Sequence, residues 1–496
     1  MTVPPTPRAA ASGVRAVVPP RKVVRPSAEA PPADPRCAFR PVPLAGDRPS
    51  SCGEGRAVRV PCGRRARRKA ARGSPGGVGR RTARKWPTAG SARGRNQYWT
   101  KLFICRYVAA VFPSHAPPLV TAPAETSVLA LLLTAGPLSR VELARRTGLS
   151  STAVTKAARP LIDDGYLHEL PPERTAPGAG RPVNPLAVTA DREFFAGVKV
   201  SADALYGAVC DLRAGLRATA DRPLGEDRGP AAVSALIREL VDELLDARPE
   251  FRDRTRRLGI AVSGDVDRAA GRVRYSVLPG WRDVPLAETT ARATGLAVVV
   301  ENDVKALTAA EHWFGEGIGT EYFALVTIGA GIGSGLVVNG RLITGAYGVA
   351  GEMGHLCIDP AGPRCHCGQA GCVEAIASSG AILAAVRAGT GREDLDFDGA
   401  VRLAREGDPV ARVVFARAGR AIGTGIGILV NLLGPERVVV TGEGLETYDL
   451  FGEHIKDSYA EHCFKAAARC PLTLRPLPWE EWARGAAVLG VQALFP

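Results

Sequence analysis

The sequence predicts an α/β protein of two lobes, with a winged helix-turn-helix ahead of it and a disordered basic leader at the N-terminus. Three observations carry that expectation. Charge is split sharply along the chain. A helix, glycine turn, helix pattern occupies roughly residues 125–165. From about residue 190, strand-like apolar runs alternate with amphipathic helical ones.

The chain has 496 residues and a formal net charge of +14, long enough for two or three domains and a large core. Residues 1–120 hold 24 Lys+Arg, 4 Asp+Glu and 18 of the 39 prolines, whereas the rest hold 40 and 46 charged residues. A mildly acidic body thus follows a basic leader. The leader contains Arg64-Arg65-Ala66-Arg67-Arg68-Lys69 and lacks sustained periodicity, which predicts disorder. It reads either as an arm that grips nucleic-acid phosphates or as a stretch with no function. Under the second reading the leader need not belong to the natural protein; Met1 and Met353 are the only methionines, so a later start would have to be a non-AUG codon such as one at Leu119 or Val120. No apolar signal core is present, so export is not expected. The apolar runs Val128 to Leu133 and Ile422 to Leu433 fall short of the roughly 20 residues that span a bilayer. Eleven cysteines in so long a chain do not suggest a disulfide scaffold, and a reducing, cytoplasmic location is expected.

Residues 121–190 read as the winged helix-turn-helix. Glu125 to Thr134 form a first helix, ended by Ala135-Gly136-Pro137. Ser139 and Glu142 fit a capping box for a second helix, which stops at Gly148. A third helix runs through Ser151 to Lys156 and ends near Asp164-Gly165. Leu143, Ala144, Leu149, Val154, Ala158, Leu161 and Ile162 supply the apolar core. Two helices about a tight glycine turn present the second to the major groove. Tyr166 to Leu170 and Leu186 to Val188 then form the strands of a wing around a Gly/Pro/Arg loop. The expected reading surface is Ser151, Thr152, Thr155, Lys156 and Arg159, with Arg181 entering the minor groove. Against this, residues 121–190 carry only +1 net charge, and Pro160 should kink or shorten the third helix. A small helical protein-interaction module remains the alternative.

In the body, Phe194 to Val200 and Leu205 to Asp211 predict a hairpin, and Ala231 to Ala247 an amphipathic helix. Further strands are expected at Arg257 to Ser263, Ala297 to Glu301 and Tyr322 to Ile328. The last opens onto the glycine run 329–335. Alternation with helices predicts a largely parallel sheet, with ligands at the strand ends.

His355, Cys365, Cys367 and Cys372 lie as H-x9-C-x-C-x4-C, with Gly368 and Gly371 to turn the chain back. Four nitrogen and sulfur ligands in a short span fit a closed, structural Zn²⁺ site. The alternative is a disulfide between two of the cysteines, with His355 in the core. Glu352 and Glu374 flank this cluster, and Asn302-Asp303 ends a strand elsewhere. Carboxylates and an amide are the groups that bind vicinal hydroxyls, so the set suits a sugar, although each residue alone is more often surface or capping.

Gly351-Glu352-Met353-Gly354-His355, the run Cys365 to Glu374 and Glu301-Asn302-Asp303 resemble the signatures of the ROK family (repressors, open reading frames and sugar kinases). The glycine run at 329–335 and Val438 to Gly444 fit as well. The resemblance covers about 125–496, including the winged helix of the repressor branch, and leaves the leader without a counterpart. It implies an actin-like, hexokinase-type fold over 191–496. It further implies that Asn302, Asp303, Glu352, His355 and Glu374 meet a sugar, with His355 serving zinc too. In the kinases of the family, the residue matching Asp303 is the catalytic base. Their first phosphate loop reads Asp-x-Gly-Gly-Thr, and the matching positions here are Lys199-Val200-Ser201-Ala202-Asp203. Asp203 would repel a triphosphate, and Ala330 stands where a threonine is usual. Phosphoryl transfer rests on positioning and charge stabilisation. The expectation is therefore a non-enzyme: a sugar-responsive, homodimeric repressor on double-stranded DNA, with a ROK sugar kinase that kept a DNA-binding module as the alternative.

Overall fold

The computed structural model of the chain describes residues 118–172, 184–277 and 280–496. Helix α1 (Pro123–Ala135) starts earlier than expected because Pro123 occupies its first turn, where a missing N–H costs nothing. Helix α2 (Arg140–Thr147) is capped by Ser139, whose Oγ accepts from the Glu142 N–H at 3.2 Å, and ends at left-handed Gly148. The reciprocal half of the capping box does not form. Arg145 and Arg146 take the Glu142 carboxylate instead, and their hydrogen bonds hold it down to about 2. Helix α3 (Ser151–Asp163) is capped by Ser150 and runs through Pro160 without a break. Pro160 lies in the last turn on the exposed face, so it removes a single helical hydrogen bond. Strands β1 (Leu167–Glu169) and β2 (Leu186–Val188) pair antiparallel with Leu167 opposite Val188. The rest of the wing loop, with Arg181, lies outside the described residues, as does nearly all of the leader.

The body holds two five-stranded sheets with the same internal order. In the first, β3 (Phe194–Val200), β4 (Ala204–Asp211) and β5 (Leu216–Pro223) form an antiparallel meander. Helices α4 (Pro230–Asp246) and α5 (Pro249–Arg254) lead into β6 (Thr255–Val262), which joins β3 in parallel. A small antiparallel sheet of β7 (Asp265–Asp267), β8 (Arg272–Ser276) and β9 (Trp281–Val284) follows, then α6 (Leu286–Thr294) and β10 (Ala297–Asn302), parallel to β6. Helix α7 (Asp303–Phe314) crosses to the second sheet. There β11 (Phe323–Ile328), β12 (Ile332–Val338) and β13 (Arg341–Leu342) repeat the meander. Helices α8 (Val373–Ala377), α9 (Ser379–Thr390), α10 (Phe397–Glu406) and α11 (Pro409–Leu433) precede β14 (Arg437–Thr441), and α12 (Tyr448–His462) precedes β15 (Leu472–Leu474). Both of these strands extend the sheet in parallel. The sheets are therefore mixed, not largely parallel, because each opens with consecutive strands joined by hairpins.

Helix α13 (Trp479–Gln492) ties these parts together. Its backbone presses on the first sheet where two glycines admit it. A Cβ at Gly197 would stand 2.2 Å from the Ala483 carbonyl oxygen, and one at Gly259 1.8 Å from that of Ala486. Its opposite side meets α7 and the second sheet through Trp482, Leu307 and Phe323. Fully buried Glu311 of α7 bonds Arg475 at 2.7 Å and Arg484 of α13 at 3.3 Å. Past its C-terminus, Leu494 and Phe495 join α1, α3 and the β1–β2 pair in one apolar core with Phe195 and Cys210. Leu119 and Val120, the last residues of the expected leader, donate to the Leu494 carbonyl at 2.9 and 3.2 Å. Each large side chain buried there contributes about 1.5–3 kcal/mol, which fixes the winged helix to the body.

Among the described residues, α11 is long and apolar enough to cross a bilayer, contrary to the reading of its second half alone. Most of its apolar window is buried in the second-lobe core, against residues such as Phe451 and Ile455.

Candidate functional site

Strand ends of both sheets open on a cavity of about 320 Å³. The first lobe contributes Lys199, Ser201, Ser263, Asn302 and Asp303; the second contributes the Gly329–Gly333 turn, Glu352, His355, His366, Glu374 and Glu443. Trp479 and Trp482 of α13 complete the wall. All five residues expected to meet a sugar thus face one space.

Asn302 caps α7. Its Oδ1 accepts from the Lys305 N–H at 3.1 Å, and its Nδ2 donates to the Gly264 carbonyl at 3.1 Å. That cap sets Asp303 in the first helical turn, where a carboxylate favours the helix dipole. Asp303 is buried and accepts three hydrogen bonds, which leaves one of its acceptor sites open. The Lys199 ammonium pairs with Oδ2, the Ser263 hydroxyl donates to the same oxygen at 2.6 Å, and the Val304 N–H donates to Oδ1 at 2.9 Å. Burial pushes the carboxyl up, but Lys199, Ser263 and Val304 outweigh it and hold Asp303 below its usual range. Lys199 is itself buried, donates to Ser263 Oγ at 3.2 Å and lies 5.5 Å from the Trp482 ring centre.

Across the cavity, the glycine turn shows its N–H groups to protein carboxylates. Glu443 accepts from the Ala330 N–H at 2.8 Å, and Glu374 accepts from the Ile332 N–H at 3.1 Å. The other Glu374 oxygen meets His366 Nε2 at 2.6 Å. Glu352 reaches into the open cleft, where surrounding protein atoms raise its pKa and Lys305 and His355 offset part of that rise. Asp203, expected to repel a triphosphate, is exposed and not part of the wall; the carboxylate at the glycine turn is Glu443.

Beside the cavity, the side-chain ligand atoms of His355, Cys365, Cys367 and Cys372 lie within 4.8 Å of one another. Cys365 Sγ is 3.5 Å from His355 Nδ1, and Cys367 Sγ is 3.7 Å from Cys372 Sγ. A tetrahedral ion with Zn–S near ~2.3 Å needs edges close to these. The knuckle closes by Cys365 N–H to the Gln369 carbonyl at 2.8 Å. Gly371, at φ +66, is packed so tightly that a Cβ would fall 1.5 Å from the Asp359 carbonyl oxygen. Burial pushes the Cys372 thiol up to about 12 and raises Cys365, whereas the Gln369 N–H lowers Cys367. Thiols so clustered take up thiolate form when a cation joins them. His355, Cys365, His366 and Glu374 form a second converging set, which overlaps the first; His355, His366 and Glu374 of this set line the cavity.

On the winged helix, Ser151, Thr152, Thr155, Lys156 and Arg159 are all exposed along one side of α3. Thr155 Oγ1 donates to the Ser151 carbonyl at 3.0 Å, and Arg159 approaches Asp163 at 3.8 Å. Arg181 lies outside the described residues.

Sequence reasoning missed Glu443, His366, Trp479 and Trp482, as well as the partnership of Lys199 with Asp303. Glu443 and His366 stood inside motifs already singled out; Trp479 and Trp482 carried no motif at all.

Comparison with known proteins follows the same division of the chain. The ROK family model matches residues 195–495, and a model of winged helix-turn-helix DNA-binding segments matches residues 125–168. The DNA-binding transcriptional dual regulator NagC of Escherichia coli (strain K12) is 30% identical over 317 residues, 62% of this chain and 77% of NagC. A solved ROK family transcriptional regulator, a homolog of the E. coli MLC protein, has a TM-score of 0.63 at 29% identity, covering 75% of this chain and 95% of that one. A ROK family glucokinase from Streptomyces griseus, solved with glucose and AMPPNP, has a TM-score of 0.52 at 27% identity, covering 60% and 98%. With its glycine turn, its His/Cys knuckle and a family match across more than half its length, the chain belongs to the ROK family.

Proposed function

We propose that this ROK protein is a sugar-responsive transcriptional regulator that represses carbohydrate-metabolism genes from a cytoplasmic homodimer. The observation that carries the reading is the continuity between cavity and winged helix. Helix α13 begins at the cavity with Trp479 and Trp482, and the residues just past its end are buried among α1, α3 and the wing strands. Asn302, Asp303, Glu352, His355 and Glu374 hold the sugar hydroxyls. Ser151, Thr152, Thr155, Lys156 and Arg159 read the operator, with Arg181 in the minor groove. A structural Zn²⁺ on His355, Cys365, Cys367 and Cys372 keeps the Glu352 and Glu374 loops in register. The domains are a winged helix over 121–190 and a sensor over 191–496, behind the leader at 1–120.

Regulation then follows from linkage. A sugar that prefers one lobe arrangement shifts the population toward it, and the lobes set the distance between the two reading helices of a dimer. Half-sites spaced by helical turns accept one such distance. A coupling of about 1–3 kcal/mol changes operator affinity 5- to 150-fold. Glu352→Ala is expected to abolish the sugar response and leave operator binding intact, measured by fluorescence anisotropy of a labelled promoter fragment. Retained induction would count against this pocket. Lys156→Ala is expected to weaken operator binding and to lower the slope of log affinity against log salt by about 1, with sugar affinity unchanged. An unchanged slope would remove Lys156 from the phosphate contacts.

The second reading, a sugar kinase with a DNA-binding module, is favoured by Asp303 and by the likeness to a glucokinase. Against it stands Lys199, which occupies Asp303 where a base must be free to accept a proton. ATP turnover in the presence of hexoses separates the two.

A further inference from the structure

We propose that the effector is a monosaccharide carrying no phosphate, because the protein's own carboxylates occupy the positions that would bind one. The inference rests on the sugar-binding reading above and narrows it to a ligand class. Anions are bound in such folds by backbone N–H groups of glycine turns and by cations. Three N–H groups of the turn at Gly329–Gly333 already have acceptors: Gly329 donates to the Gly331 carbonyl at 3.1 Å, Ala330 to Glu443 and Ile332 to Glu374. Glu443 also fills the space over Gly329, where a Cβ would stand 2.0 Å from its Oε1.

The charges facing the cavity point the same way. Asp303, Glu352, Glu374 and Glu443 line it, and Lys199 is the one lysine or arginine among the described residues of its wall. That ammonium is committed to Asp303 and Ser263. A phosphate monoester would meet three further carboxylates and no uncommitted Lys or Arg of that wall, and the Gly329, Ala330 and Ile332 N–H groups of the glycine turn already have acceptors. Sugar hydroxyls suit the same wall, since they donate to carboxylates and pack on the Trp479 and Trp482 rings. Glu443 thereby acts as a specificity determinant, excluding both sugar phosphates and the phosphates of a nucleotide.

The test is calorimetry on the purified full chain with glucose, mannose and N-acetylglucosamine, the 6-phosphate of each, and Mg-ATP. At least one free sugar is expected to bind, with its 6-phosphate weaker by about 100-fold or more, as expected for like charges forced together. Mg-ATP is expected to give no binding heat. Glu443→Ala should narrow the gap between sugar and sugar phosphate by about tenfold or more, and Glu443→Gln, which keeps the shape and removes the charge, should narrow it in the same direction. A 6-phosphate that binds the unaltered protein as tightly as its parent overturns the proposal while leaving the sugar pocket standing. So does a gap that neither substitution changes. Failure of every sugar, with or without phosphate, to bind sinks the sugar reading itself and this inference with it.

Discussion

Replacing Lys199 with methionine will destabilise the protein by about 3–5 kcal/mol at neutral pH, the usual cost of leaving one partner of a buried ion pair uncompensated. The side chains of Lys199 and Asp303 are only 5% and 9% exposed, so water at the cavity edge replaces the lost ammonium poorly. The pH dependence gives the prediction a second edge. In the unaltered protein Asp303 sits below its usual range, so its carboxylate adds stability at neutral pH that is lost as pH falls through its folded pKa. Without Lys199 the upward push of burial is met only by Ser263 and Val304, and the folded pKa rises. The variant then folds at neutral pH only by taking up a proton or burying an unpaired charge. Its deficit should be largest near pH 7.5 and shrink toward pH 5. Urea unfolding at both values measures this, and Lys199→Met with Asp303→Asn should recover much of the loss. A deficit independent of pH would mean that Lys199 acts through packing on Trp482.

Loss of the proposed zinc is expected to abolish sugar binding. Structural zinc in small peptides is worth about 10–16 kcal/mol of apparent folding free energy at pH 7. Here the chain between Glu352 and Glu374 is anchored at its ends by Met353 and Val373 in the core; between them it is held by the knuckle, by the Ile358 and Asp359 N–H groups on the Gly371 carbonyl, and by Arg417 on Asp359 at 2.9 Å. Both carboxylates proposed to grip the sugar leave directly from it. Elemental analysis of the purified protein should find one zinc per chain, and Cys372→Ser should lose it together with sugar affinity. Sugar binding by zinc-free protein with unchanged affinity would reduce the knuckle to a local ornament.

The parts legible in the sequence were those set by local chemistry. Ser139 and Gly148 bound a helix because each satisfies backbone groups within a few residues. The H-x9-C-x-C-x4-C spacing brought its four side chains together because its two glycines let a short loop fold on itself. Asn302 and Asp303 were visible as a strand-to-helix junction. Strand direction was not legible, since an apolar run such as Phe194 to Val200 reads the same beside a parallel or an antiparallel neighbour. Nor was the partner of Asp303. Lys199 stood out as a cation in place of an acid, but it lies 104 residues from Asp303, and only the parallel pairing of β3, β6 and β10 brings them together. Glu443 lies 113 residues from Ala330, across the β11–β14 pairing, and escaped notice while exposed Asp203 drew the suspicion. Contacts made by sheet register over such separations have no periodic trace in the chain.

We propose that one sugar cleft, without nucleotide chemistry, controls a DNA-reading helix. The deciding experiment follows a labelled promoter fragment from beside the protein's own gene, with purified protein, while free sugars and Mg-ATP are added in turn. Tight binding of the fragment, release on addition of one free sugar and no consumption of ATP are expected. A fragment that never binds, in a sample that phosphorylates a hexose at the expense of ATP, would overturn this reading.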